Sequence, residues 1–219
     1  MRIVYGEGTI KVRKVCESIN VSNQNIIPLF PHVICASSVE GDLSSLDVIK
    51  TYEYESTNNN GSMIYNDFTL LDKFPFVKNK LTKNVNEFVS QLYDRQVSFK
   101  MTTSWATKCQ KGQGSDFHNH KNCMYSAVLY LDDVAEGGEL RISSEGLTPS
   151  SFMMKRSENP NAFNSDLFYI KPERNLMVIF PSYLMHKIGL HTEDKPRYSI
   201  AMNFFPDCDI GENDSLLER

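Results

Sequence analysis

Apolar residues recur every three or four positions between Phe74 and Leu92, while lysines and asparagines occupy the opposite face. This spacing is typical of an amphipathic helix, and it is the most regular helical pattern in the chain. A shorter pattern of the same period predicts a second helix over residues 42–50, with Asp42 as its N-cap. We expect these helices to pack on the outside of a sheet, because an apolar stripe usually serves core packing.

After residue 95 the pattern changes to short runs rich in aromatic and β-branched residues, several of them alternating with polar ones. Such runs are typical of strands. Strands are predicted at 97–106, 124–131, 139–142, 168–170, 175–180 and 197–205. Glycine-containing turns separate some of them, and the polar stretch 143–166 predicts a long loop. Short strands without intervening helices indicate a mainly-β fold of the barrel or jelly-roll type.

A chain of 219 residues is long enough for one generous core, so we expect a single domain. Residues 1–95 would form an N-terminal arm and supporting helices, residues 96–206 the β core, and residues 207–219 a polar tail. The first 27 residues are mixed in character and predict either an added strand or a loosely held arm.

Composition narrows the class of protein further. A net charge of −4 and a pI near 5.8 disfavour a general nucleic-acid binder. Five scattered cysteines without a Cys-x-x-Cys pair suit a reducing compartment and predict no disulfide-linked partner. We found no apolar run of membrane-spanning length and no signal-peptide core, so we expect a soluble cytoplasmic protein without a membrane partner.

Candidate metal ligands stand directly before the predicted strand 124–131. His118 and His120 are two residues apart, so in an extended segment their imidazoles face the same side. A third histidine, His186, follows much later in the chain. Imidazole ligands suit iron, zinc, copper and nickel, whereas the cysteines lack the spacing of a structural zinc site.

An anion-binding pair follows on the last predicted strand. Arg197 and Ser199 are two residues apart, so their guanidinium and hydroxyl share one face and together suit a bound carboxylate. Because this pair comes one hairpin after His186, we expect it to lie near the metal. A metal with open positions beside a carboxylate anchor is what chelation of a 2-oxo acid requires.

Five motifs then occur in a specific order. They are Gly-x-Gly-x-x-x-His-x-His at 112–120, Tyr-Ser-Ala-Val-Leu-Tyr-Leu at 125–131, Gly-Gly-Glu-Leu at 137–140, Phe-Pro-Ser-x-x-x-His at 180–186 and Arg-Tyr-Ser-Ile-Ala-Met-Asn-Phe at 197–204. This ordered set resembles the Fe(II)/2-oxoglutarate-dependent oxygenase superfamily. Within it, the chain is most similar to the little-characterised oxygenases common in tailed phages and marine bacteria, which would place it in a host cytoplasm if it is phage-encoded.

The resemblance implies a cupin-like double-stranded β-helix that uses Fe(II), 2-oxoglutarate and O2. It implies that His118 and His186 are metal ligands. It also implies that Tyr130 and Arg197, assisted by Ser199, hold the far carboxylate of 2-oxoglutarate. The reaction would couple decarboxylation of 2-oxoglutarate to succinate with hydroxylation or oxidation of a second substrate.

One position departs from the superfamily pattern, which has an aspartate or glutamate where this chain has His120. A third histidine ligand is the favoured interpretation, and it makes the metal more positive and less electron-rich. Two alternatives stay open: Asp116 supplies the carboxylate, or His120 pairs with Asn122 and His118 does not bind the metal.

Two rival classes keep the barrel but change its role. Three histidines without a carboxylate are also similar to cupin-like dioxygenases that do not use 2-oxoglutarate. The other rival class is a non-catalytic binding protein with a jelly-roll fold. The sequence leaves the primary substrate open among proteins, nucleobases and metabolites, although Trp105 and the segments 55–70 and 143–166 are candidate pocket walls. His191 falls in the turn before Arg197, where little suggests a role.

Overall fold

A computed structural model of the chain describes residues 31–57, 61–93, 96–144, 158–159, 161 and 165–218. All elements described below belong to one compact unit, Val33–Arg219. The predicted N-terminal arm and most of the predicted loop 143–166 lie outside the described residues.

The described residues form nine strands arranged in two antiparallel sheets. The strands are β1 (Cys35–Ser38), β2 (Met63–Ile64), β3 (Phe99–Cys109), β4 (Tyr125–Tyr130), β5 (Leu140–Ser143), β6 (Leu167–Ile170), β7 (Leu176–Pro181), β8 (His186–Ile188) and β9 (Arg197–Pro206). The large sheet has the order β1-β7-β4-β9-β3-β2, and the small sheet has the order β6-β5-β8. An antiparallel bridge between His118 and His186 extends the small sheet beyond β8.

One α-helix, α1 (Pro75–Tyr93), and three 3₁₀ helices, Ser44–Thr51, Leu70–Lys73 and Asn213–Ser215, occur among the described residues. The apolar stripe of α1 is buried and joins a cluster that includes side chains of β3, β4, β7 and β9. The helix predicted over 42–50 is a 3₁₀ helix instead. Asp42 lies before it and accepts a hydrogen bond from the Ser44 N–H at 2.8 Å.

The pleat of the large sheet divides its side chains between two cores. Leu129 and Ile179 face the helices, whereas their neighbours Tyr130 and Val178 face the opposite way. There they pack with Ile142 and other apolar residues of the small sheet. The two sheets therefore lie face to face, and the inner face of the large sheet looks into the space between them.

The sequence did not predict β1, β2 and β8, because these strands form through pairing with distant strands and have little local pattern of their own. β1 has the sequence Cys-Ala-Ser-Ser, which has weak strand preference, but it pairs with β7 along its whole length. β2 has two residues and β8 has three. Elements this short carry too little periodicity to be recognised from sequence.

None of the described helices combines the length and the apolarity needed to cross a bilayer. The four cysteines within the described residues, Cys35, Cys109, Cys123 and Cys208, are free.

Candidate metal and co-substrate site

Three histidines converge at one end of the space between the sheets. His118 and His186 exchange two backbone hydrogen bonds, of 2.9 and 2.8 Å, which fixes them side by side. The His120 N–H donates to the Ser182 carbonyl at 3.0 Å, so the segment after His118 is also anchored. The extended backbone turns the imidazoles of His118 and His120 to the same side, as their two-residue spacing predicts.

The three imidazoles form a compact cluster. Their ring centroids are 4.4 Å apart for His118 and His186, 5.0 Å for His120 and His186, and 5.4 Å for His118 and His120. Each ring offers one nitrogen, and these three atoms lie within 4.8 Å of one another. Within the described part of the chain, this is the group of His, Cys, Asp or Glu side chains whose ligand atoms approach closely enough to hold a metal ion.

The other nitrogen of each ring is already engaged. Nδ1 of His118 lies 2.9 Å from the Asp116 carbonyl oxygen, and Nδ1 of His186 lies 2.8 Å from the Leu184 carbonyl oxygen. Because a carbonyl only accepts, both Nδ1 atoms carry the proton and Nε2 keeps its lone pair. Hydrogen bonds of this kind are what hold metal-binding histidines in the correct tautomer.

His120 is oriented by a side-chain network on the inner face of the large sheet. Its Nδ1–H donates to the Asn203 side-chain oxygen at 2.6 Å. The Asn203 amide donates in turn to the Thr103 hydroxyl at 3.0 Å. Ser126 donates to the same Asn203 oxygen at 2.9 Å and contacts the Ser182 hydroxyl at 2.8 Å. All three histidines therefore present Nε2 to the common space.

Burial keeps two of these rings neutral. Desolvation lowers the pKa of His186 to about 3, against a smaller opposing effect of the hydrogen bond to the Leu184 carbonyl. Desolvation also lowers the pKa of His120, although the hydrogen bond to Asn203 raises it. Both rings are thus unprotonated at neutral pH, which is the form that binds a metal ion.

The alternative ligands have less favourable positions. Asp116 is exposed and contributes its backbone carbonyl to His118, and its carboxylate is not part of the three-histidine group. Asn122 is also exposed, in a left-handed conformation with φ of 58°.

The predicted carboxylate anchor is buried. The Arg197 side chain is 1% exposed, and Nη1 donates to the Ser199 hydroxyl at 3.2 Å. Nε and Nη2 of the same guanidinium are buried without a hydrogen-bond partner among the described residues. A buried cation with unused donors is costly, and an anionic ligand would remove that cost.

Strand register places Tyr130 beside this cation. Tyr130, Ser199 and Thr107 lie opposite one another on β4, β9 and β3, and the two hydroxyls of Ser199 and Thr107 are 2.7 Å apart. The Tyr130 ring lies 5.3 Å from the Arg197 guanidinium carbon. Burial raises the Tyr130 pKa to about 12, so its phenol stays protonated and can donate a hydrogen bond.

The same face of β9 connects the anchor to the histidines. Arg197, Ser199, Ala201 and Asn203 alternate along the strand and share one face. Ala201 lies opposite Trp105 of β3 and Val128 of β4. The surface between the cation and the metal cluster is thus apolar, which suits the methylene chain of a 2-oxo diacid.

Two residues that contact His120 received no definite role from the sequence. Asn203 was detectable, because it is three alternate positions along the strand from Arg197. Trp105 was a candidate pocket residue, and its ring lies 5.7 Å from the His120 ring and 5.9 Å from the Phe68 ring, tilted against both.

Residues 103–203 match the family model described as "Putative 2OG-Fe(II) oxygenase". The matched segment begins within β3 and ends at Asn203 of β9, so it contains the three histidines and Arg197. Over this segment the chain is similar to the 2OG-Fe(II) oxygenases, a family of oxidoreductases that use Fe(II), 2-oxoglutarate and O2.

Several solved structures share the fold. HygX from Streptomyces hygroscopicus, in complex with nickel, 2-oxoglutarate and hygromycin B, aligns with a TM-score of 0.58 at 13% identity, over 80% of this chain and 84% of HygX. A Pseudomonas putida prolyl-4-hydroxylase aligns with a TM-score of 0.52 at 15% identity, over 80% and 92% of the two chains.

A Trichoplax adhaerens prolyl hydroxylase bound to a hypoxia inducible factor peptide gives a TM-score of 0.53 at 15% identity, over 78% of this chain and 83% of the hydroxylase. No curated protein shows significant sequence similarity to the chain. These likenesses confirm the predicted mainly-β, double-stranded β-helix fold. The assignment to a phage and marine-bacterial branch stays a prediction.

Proposed function

We propose that this oxygenase couples oxidative decarboxylation of 2-oxoglutarate to succinate with hydroxylation or another oxidation of a second substrate. The observation that carries the proposal is Arg197, a buried cation with two unused donor atoms on the sheet face that also orients the histidine cluster. Such a cation requires an anion, and a carboxylate on a chain that reaches the metal provides one.

His118, His120 and His186 would hold the iron through Nε2. Their Nδ1 protons are fixed by two backbone carbonyls and by Asn203, so the rings are preorganised before the metal binds. The bound iron supplies the redox chemistry with O2. Three neutral histidines would leave a bound metal more positive than a ligand set with one carboxylate, and this would favour an anionic co-substrate.

Arg197, Ser199 and Tyr130 would hold the other end of 2-oxoglutarate. The Arg197 guanidinium offers Nη2 to the far carboxylate, and the Tyr130 phenol offers a second donor. Because Ser199 fixes Nη1, the guanidinium has a defined plane before the co-substrate arrives. These residues would orient the co-substrate, and the buried walls around them would shield its far end from bulk solvent.

A second function is favoured by one observation, the lack of a carboxylate in the three-histidine group of the described residues. Cupin-like dioxygenases with three histidines chelate their substrate directly and do not use 2-oxoglutarate. The buried Arg197 argues for the first function, since direct chelation gives that cation no partner. The identity of the second substrate, whether protein, nucleobase or metabolite, is open under either function.

Anaerobic titration of the protein with Fe(II) and then 2-oxoglutarate tests the proposal. We expect the weak visible charge-transfer band of a chelated 2-oxo acid, and succinate formation after admission of air. His186→Ala should abolish both signals, and metal analysis of protein purified without chelators should show loss of iron. A protein that binds iron through the histidines but gives neither band nor succinate would favour the cupin-like function, and failure to bind iron would favour a binding module.

A further inference from the structure

The buried polar atoms without a partner are concentrated in one place. In the described residues they are Asn175 Oδ1, His191 Nδ1, Arg197 Nε and Arg197 Nη2. Three of these four atoms belong to His191 and Arg197. Unsatisfied buried polar groups are rare in folded proteins, so their concentration indicates an arrangement that serves a purpose.

His191 is held tightly although it lies in the connection between β8 and β9. Its backbone N–H donates to the Gln113 carbonyl, and its carbonyl accepts from the Gly112 N–H, both at 2.8 Å. Its side chain is fully buried, and Nε2–H donates to the Lys195 carbonyl at 2.8 Å. In the neutral imidazole this bond leaves Nδ1 with a free lone pair, which accepts but does not donate.

The free nitrogen of His191 and the free Nε–H of Arg197 face the same small space. A β-carbon built on Gly138 would lie 3.1 Å from His191 Nδ1 and 3.6 Å from Arg197 Nε. These two distances sum to 6.7 Å, which is therefore the largest possible separation of the two nitrogens. Gly138 has φ of +64°, a conformation that favours glycine, so the backbone itself keeps a side chain out of this space.

We propose that His191 is a positioning residue for the co-substrate, and that one buried water links its Nδ1 to Nε–H of Arg197. The water accepts from Nε–H and donates to Nδ1, which satisfies both atoms. The inference deepens the proposed function and rests on it, because it assigns the far-carboxylate end of the 2-oxoglutarate site.

The consequence is a guanidinium held from two sides. Ser199 fixes Nη1, His191 fixes Nε through the water, and Nη2 keeps both of its N–H groups for the carboxylate. A guanidinium with a fixed plane loses less freedom when it binds a carboxylate, so the affinity for that carboxylate rises. His191 therefore acts on the co-substrate through Arg197.

Two substitutions at one position provide the test. His191→Leu removes the acceptor, whereas His191→Asn places an amide oxygen where Nδ1 stands. Dissociation constants are measured by anaerobic titration of the Fe(II)-loaded protein with 2-oxoglutarate and, separately, with pyruvate, which has the chelating 2-oxo acid but no far carboxylate. We expect His191→Leu to weaken 2-oxoglutarate about three- to tenfold and His191→Asn to weaken it less.

Pyruvate distinguishes positioning from structural damage. Its affinity should be the same in the wild type and in both variants, since it makes no contact with Arg197. Equal weakening of both ligands, or unchanged binding of 2-oxoglutarate by His191→Leu, would overturn the inference. Failure of the wild type itself to bind 2-oxoglutarate would instead overturn the proposed function, so the two failures are distinguishable.

Discussion

The Nδ1–H group of His120 donates a 2.6 Å hydrogen bond to the side-chain oxygen of Asn203. The two residues come from different parts of the chain, the loop before β4 and the far half of β9, and they meet only because β4 and β9 pair. An amide at this position holds the ring without adding negative charge. The His120 ring is therefore held in one orientation, with Nε2 directed at the other two histidines.

Asn203→Ala tests this relationship. We expect the affinity for Fe(II) or Co(II) to fall about 10- to 100-fold, because loss of a partner that orients a metal-binding histidine has that effect. Competition titration against a chelator measures the affinity. Asn79→Ala, which removes an exposed amide from α1, is the matched control and should leave it unchanged. Equal affinities in the two variants would show that Asn203 does not orient a ligand.

The third ligand is tested by two substitutions of His120. His120→Leu leaves two histidines, so stoichiometric iron binding should be lost. His120→Asp restores the carboxylate that the superfamily pattern carries, so iron should bind more tightly to it than to His120→Leu. Metal content after desalting measures both. Full iron occupancy in His120→Leu would contradict a three-histidine site and would favour Asp116 or Asn122 as a metal ligand.

Arg197→Met separates binding from folding. We expect loss of measurable 2-oxoglutarate binding, at least about 100-fold, because the charge-assisted contact to the far carboxylate disappears. The same change should raise the melting temperature of the ligand-free protein, since it replaces a buried cation that has unused donors with an apolar chain. Spectroscopic titration and thermal denaturation measure the two effects. A variant that binds 2-oxoglutarate like the wild type would exclude Arg197 as its anchor.

Local pattern was sufficient for the elements that carry their own periodicity. The helix predicted from Phe74 to Leu92 is α1, Pro75–Tyr93, and the strand predicted at 124–131 is β4, Tyr125–Tyr130. The site histidines were detectable because the spacing of His118 and His120 has a geometric meaning in an extended chain.

Long-range contacts were beyond the reach of the sequence. His191 looks like an ordinary turn residue, and its burial comes from Gly112 and Gln113 on one side and from Gly138 on the other. β1 likewise exists because β7 is there to pair with it. A single sequence carries no signal for contacts of this kind, whereas Asn203 at least shares the strand period of Arg197.

The stability of the helix-side core can be tested without disturbing the site. Leu81 is fully buried on α1, so Leu81→Ala should lower the free energy of unfolding by about 2–5 kcal/mol through lost burial and the resulting cavity. Phe76 lies on the same helix but is 74% exposed, so Phe76→Ala should change it by about 0.5 kcal/mol or less. Denaturant unfolding measures both. Similar values for the two variants would contradict the burial pattern of α1.

The histidine cluster also predicts how the metal-free protein responds to acid. The pKa of His186 is lowered to about 3 from its ordinary value of 6.5, mainly by burial, and the pKa of His120 is lowered for the same reason. Between pH 6.5 and about 3, the unfolded chain binds a proton at His186 that the folded chain does not bind. The contribution of this residue to stability is therefore fully present above pH 6.5 and is lost progressively as the pH falls towards about 3.

His186→Leu isolates this contribution, because a leucine does not titrate while the other acidic and basic groups remain. Melting temperatures of chelator-treated wild type and variant, measured from pH 7.5 down to about 4, should fall for both, and the fall should be steeper in the wild type. The difference should open below pH 6.5, where the unfolded histidine begins to take up its proton. Parallel pH profiles would mean that His186 takes up protons in the folded state. That result would contradict the interpretation of the three histidines as a buried, preorganised ligand set.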